Sequence, residues 1–96
     1  RMGVKRLDDL IAYQRAVALK DEVYAIVREH PRAERDLRYR SQLLDAVSGV
    51  ESNIAEAWGR YRRREMCQFL RYAIASLFET ERRLVDGVSR GHFARE

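Results

Sequence analysis

The chain has 96 residues, enough for one small domain, and at this size a single core removes only roughly 60 to 65 % of the unfolded surface from water. A composition of 46 % hydrophobic and 35 % charged residues is too apolar for a disordered segment, and no run approaches the ~18 uninterrupted apolar residues of a membrane span. The net charge of +4 has one address, because Arg60, Arg62, Arg63, Arg64 and Arg71 stand against Glu65 alone and the rest of the chain sums to zero. Cys67 is the only cysteine, so no internal disulfide forms, and the Arg1 to Arg6 start lacks the apolar core of a secretory signal. A cytoplasmic location is expected.

Pro31 is the only proline, and Gly3, Gly49, Gly59, Gly87 and Gly91 are the only glycines, so three long stretches run without a helix breaker. The first helix is expected over about 7–29, opening on Asp8 and Asp9 at the positive end of the macrodipole and stopping before Pro31. Its apolar residues form two adjoining rows: Ala12, Ala16, Leu19, Val23, Ile26, and Leu10, Tyr13, Val17, Tyr24, Val27, the second interrupted by Lys20. A stripe this wide must touch more than one neighbour. After a polar turn the second helix is expected over about 36–59, with Leu43, Val47, Val50, Ile54, Ala57 and Tyr61 at heptad spacing. Beside that row lie Ala46, Gly49, Asn53, Glu56 and Arg60; Gly49 costs roughly 1 kcal/mol of helix propensity, for which close approach of another backbone is the expected compensation. Gly59 suits a C′ position. The third helix is expected over about 63–90, closed by Gly91, with Met66, Leu70, Ala73, Leu77, Leu84 and Val88 inward and Arg64, Gln68, Arg71, Ala75, Phe78 and Arg82 outward. Its N-terminus is poorly capped, since the N-cap position falls on Arg62. No strand alternation or repeat interrupts this pattern.

Rods of this length joined by short connections lie antiparallel, so the expected fold is all-α, a single domain over 1–96 with three long helices. Three rods leave a broad apolar stripe uncovered, and either a fourth helix or another subunit is needed to close it.

The run Ser52-Asn53-Ile54-Ala55-Glu56-Ala57-Trp58-Gly59-Arg60, followed by Phe69-Leu70-Arg71-Tyr72-Ala73-Ile74-Ala75-Ser76-Leu77-Phe78-Glu79, resembles the four-helix-bundle proteins encoded in intervening sequences of bacterial 23S rRNA genes. Leu7-Asp8-Asp9-Leu10 with Gln14 and Ala16 resembles that family's opening helix, and Tyr24, Pro31, Glu34, Leu37, Gln42 and Leu43 its first turn and the start of its second helix. The resemblance implies an antiparallel up-down-up-down bundle able to assemble as a homo-oligomeric ring of five. The family includes the accessory variability determinants of diversity-generating retroelements, which act with a reverse transcriptase and bind nucleic acid. This sequence has Gly49-Val50-Glu51 where the family tends to Ser-Ile-Pro, Ala57 where it has glycine, and Arg62 where a capping serine is usual. It reaches Glu96 where the family would begin a fourth helix, which is expected to be absent or truncated.

Two constellations carry chemistry. Trp58 and Tyr61 interleave with Arg60, Arg62, Arg63, Arg64 and Arg71, the combination of ring faces and guanidinium forks that stacks bases and tracks phosphates in RNA or DNA; the alternative is a solvated corner with both rings partly buried. A GC-rich genome would raise arginine everywhere, so the clustering rather than the count supports the first reading. Asn53, Glu56 and Arg60 share one side of the second helix, as a polar network that fixes register between helices or subunits or as a ligand site. Catalysis finds little support: His30 and His92 stand alone, Cys67 is a packing residue or an isolated thiol, and no spacing suits a metal, a cofactor or a phosphate loop. The combined expectation is a non-catalytic homo-oligomer that binds nucleic acid through a basic patch, with a structural scaffold or protein adaptor as the alternative.

Overall fold

The computed structural model describes residues 5–94. The chain's Arg1 start and Gly3, and its end at Glu96 where a fourth helix was expected to begin, lie outside the described residues. A 3-10 turn, Leu7–Asp9, precedes four α-helices: α1 Ile11–Glu29, α2 Pro31–Arg35, α3 Leu37–Trp58 and α4 Arg63–Ser89. No strand occurs among the described residues.

The single helix expected over 7–29 is divided at its start. Leu10 is extended (φ −77°, ψ 118°), and Gln14 Nε2 donates to Asp8 O at 2.8 Å, tying the turn to the first coil of α1. The turn closes through its own backbone, with Asp9 N donating to Arg6 O and Leu10 N to Leu7 O, both at 3.0 Å, so Asp8 and Asp9 lie in a 3-10 turn rather than in the first turn of α1. The polar turn expected after Pro31 is also a helix: proline at the first helical position lacks only an N–H that would have had no partner, and its φ is preset. Asp36 caps α3 by accepting from Tyr39 N at 3.2 Å. Gly59, expected at C′, is the C-cap itself with right-handed φ −78°, and α3 ends through Gly59 N–H bonding Ala55 O. Gly91 does take the left-handed form, φ +78°, just beyond α4.

Helix α3 is the central rod. Antiparallel α1 crosses one side, where Lys20 Nζ donates to Glu51 and Tyr24 shares a hydrogen bond with Ser48 at 3.2 Å. Lys20 is thus a partner for Glu51 and not a flaw in the apolar row; that bond holds its pKa above the usual lysine value, against the opposing effect of burial. The heptad row buries Leu43, Val47, Val50, Ile54 and Ala57 as expected, but Tyr61 leaves it, because α3 has already ended at Trp58. Two apolar clusters result. One gathers Val23, Val27, Ala33, Tyr39, Leu43 and Val47; the other gathers Ala16, Val50, Ile54 and Ala73.

On the other side, α4 packs on α3 with a rotation the sequence pattern misses. Of the expected inward residues only Ala73 is buried, while Met66 and Leu84 are half-buried and Leu70, Leu77 and Val88 are exposed. The residues of α4 that are buried are Ala73, Thr80 and Gly87, spaced seven apart. Small residues allow the backbones to come close: a Cβ on Gly49 would lie 2.6 Å from Ser76 Oγ, and Gly87 lies directly beneath Tyr39. Tyr39 donates its hydroxyl to Arg83 O at 2.6 Å, and burial pushes its pKa up to about 12. A groove between α1 and α4 is left open above α3, its walls formed by Ala12, Val50, Ile54, Leu70, Ile74 and Leu77 around about 280 Å3.

Past Gly91 the chain folds back on the α2–α3 junction. His92 Nε2 donates to Asp36 Oδ2 at 2.9 Å, and its ring meets Tyr39 edge-on with centroids 4.7 Å apart. Phe93 packs against the main cluster and meets the His30 ring. A side chain at Gly87 would drive Tyr39 and Phe93 from these positions, so Gly87→Ala is expected to lower the unfolding free energy by about 1–3 kcal/mol in urea titrations despite alanine's better helix propensity. The bond from His92, followed by that from the Tyr39 amide, holds the Asp36 carboxyl below its ordinary range. Its stabilising contribution is therefore complete above about pH 5, shrinks as pH falls past the ordinary aspartate value of about 3.9 and is lost once pH passes below the lower folded value. Asp36→Asn, which keeps a capping oxygen, is expected to flatten the acid limb of a stability-against-pH curve followed by circular dichroism.

Candidate nucleic-acid interface

The basic cluster forms the corner where α3 passes into α4. The connection 59–62 is short, and Arg62 enters α4 in extended geometry (φ −82°, ψ 128°) with no side-chain cap on the first turn. The opening N–H groups of α4 therefore add partial positive charge to the arginines around them. Arg62, Arg63, Arg64 and Arg71 are exposed, and none makes an ion pair among the described residues. Arg64 and Arg71 are seven apart on one side of α4, so the charged strip continues about 10 Å along the helix.

Arg60 differs from the other four. It donates to Glu56 Oε2 at 2.8 Å, and its guanidinium lies over the Phe69 ring, 4.5 Å from the centroid. The pair holds Arg60 in place and neutralises much of its field, which leaves the other arginines as the free cations of the corner. Trp58, the last residue of α3, is half-buried, whereas Tyr61 has a relative exposure of 104 %. The two rings paired by the sequence reading thus have different surroundings.

The expected network of Asn53, Glu56 and Arg60 divides in two. Glu56 and Arg60 bond each other, but Asn53 Nδ2 donates to Gly49 O at 2.8 Å on its own helix. The amide turns back onto the carbonyl one helical turn earlier, and the close passage of Ser76 over Gly49 keeps the region half-buried. Asn53 therefore belongs to the α3–α4 seam and the ion pair to the corner. Phe69, the seat for Arg60, was not singled out from sequence; with Tyr72, three residues on and edge-on to it at 5.6 Å, it forms an aromatic pair at helical spacing. The His92–Asp36 clasp joins positions 56 residues apart at the far end of α3 and left no local signal. No group of three or more His, Cys, Asp or Glu among the described residues could hold a metal ion, and no helix is long and apolar enough to cross a membrane.

A second unsatisfied surface runs along the length of α4, away from the corner. Ile74, Phe78, Val85 and Val88 on α4 and Ile11 on α1 are large, apolar and exposed, and with the groove above α3 they make a surface suited to another helix.

The family model described as 23S rRNA-intervening sequence protein matches residues 8–95. No curated protein and no solved structure matches the chain.

Proposed function

The chain belongs to the 23S rRNA-intervening sequence protein family, and from that premise we propose that it is a non-catalytic, self-assembling helical-bundle protein that binds nucleic acid through Arg62, Arg63, Arg64 and Arg71. The observation that carries this reading is a run of exposed guanidiniums with no acidic partner, beside an uncapped helix start and an open aromatic ring. Such groups have lost no solvation to intramolecular pairs, and their planar forks match phosphate oxygens two at a time. Phosphates position a strand without reading it, so sequence preference is slight. Self-assembly is supported by the apolar surface of α1 and α4, and five copies, the number implied by the family resemblance, would set five corners on one particle and raise avidity without any new contact. The cytoplasm is its proposed location, and a reverse transcriptase is a partner proposed on the resemblance alone.

A structural scaffold is the second reading, and the same apolar surface favours it. Sedimentation at micromolar concentration is expected to give a multiple of the protomer mass; a lone protomer would contradict self-assembly. Fluorescence anisotropy with labelled RNA and DNA across a salt series decides between the two readings. Binding is expected to weaken with salt with a log–log slope of about −0.7 per contacted phosphate on single strands, and replacing Arg62, Arg63 and Arg64 by serine should flatten it by up to about 2 units while leaving the mass unchanged. No binding at about 50 mM salt, where the phosphate contribution is strongest, would make the scaffold the better reading.

A further inference from the structure

Four aromatic rings surround the basic corner, and they are not equivalent. Trp58 is half-buried; Phe69 is covered by the Arg60 guanidinium; Tyr72 meets the Phe69 ring and accepts a hydrogen bond from Gln68 at 2.7 Å. Tyr61, at 104 % relative exposure, has both faces of its ring open. It stands in the connection between α3 and α4, with Arg62, Arg63 and Arg64 next in the chain.

We propose that Tyr61 is a base-stacking platform and that the ligand of this corner is a single-stranded nucleic acid, an inference that rests on the proposed function. An unpaired base laid on the ring removes two apolar faces from water at once, and the phosphates on either side of it fall within reach of the neighbouring guanidiniums. Because every base has such a face, the contact adds affinity without adding sequence preference. A duplex meets the same arginines but keeps its base faces inside its own stack, so it gains nothing from the ring. The corner therefore discriminates strandedness through one side chain and supplies charge through others. Stacking and phosphate contact make no use of the ribose 2′-hydroxyl, so RNA and DNA single strands serve equally as ligands.

The test is anisotropy with the full chain and four labelled probes: oligo-uridine, oligo-thymidine, and RNA and DNA duplexes of matched length. Tyr61→Ala is expected to weaken binding of both single strands about five- to thirtyfold while leaving duplex binding, melting temperature and sedimentation unchanged. Tyr61→Phe, which keeps the ring, should bind as the native protein does, and Tyr61→Leu, apolar without a π face, should not. Equal loss on single strands and duplexes, or no loss on either, would overturn the platform while leaving the basic corner intact. A changed sedimentation coefficient for Tyr61→Ala would also overturn it, by placing the ring in a contact between copies. Failure of the native protein to bind any of the four probes overturns the proposed function itself and is distinguishable from these outcomes.

Discussion

The approach of α4 to α3 is set by side chains that are absent. Gly49 lets Ser76 come within contact distance of its backbone, and Gly87 makes room for the Tyr39 ring, whose hydroxyl then bonds a carbonyl of the opposing helix. With Ala73, Thr80 and Gly87 facing the seam, α4 has one permitted rotation, and its bulky residues at Ile74, Phe78, Val85 and Val88 must face away. The same contact thus produces a tight pair of helices and an uncovered apolar surface. The usual order, large residues inward and small ones outward, is exchanged along this helix because backbone proximity compensates for the loss of side-chain burial.

That rotation also determines the character of the corner. Once Ala73 points at α3, Arg64 and Arg71 lie on the outer side, and Phe69 comes to rest beneath Arg60. One arginine is consumed in an internal contact with Glu56, and four are left to water. Like charges held this close repel one another at some cost to the folded state, a cost reduced by counter-ions and reduced further by a polyanion.

How far the sequence reveals this molecule depends on the range of the interaction concerned. The long rods, the start of α3 at Asp36, the missing cap at Arg62 and the stop at Gly91 are legible, because each depends on residues within one turn of helix. The close approach at Gly49 was readable too, since a glycine inside a helix calls for a compensating contact. The inner side of α4 is only partly legible: the apolar periodicity of Leu70, Leu77, Leu84 and Val88 is real, but Leu70 and Leu77 line the open groove and Val88 is exposed, while Leu84 alone of these four packs against the larger cluster. Gly59 differs from its expected place by one step, serving as the C-cap in ordinary right-handed geometry rather than as C′, because α3 runs on to Trp58. Of the candidate site, the arginines and Tyr61 could be named from sequence, whereas the retirement of Arg60 onto Phe69 required the turn between them to be known.

The ion pair of Lys20 and Glu51 stands at the level where the larger apolar cluster gives way to the smaller one. A polar bridge at that level means that cohesion is not shared evenly along the rods. The end held by Tyr39, His92 and Phe93 has the greater store of buried surface, and the end bearing the arginines has the lesser. Local opening free energies follow such differences, so amide protons of the half built on Ala16, Val50, Ile54 and Ala73 exchange ahead of those around Leu43 and Val47. A strand bound at the corner would slow that exchange from the outside, and the protein would register its ligand as a stiffening of its own weaker half.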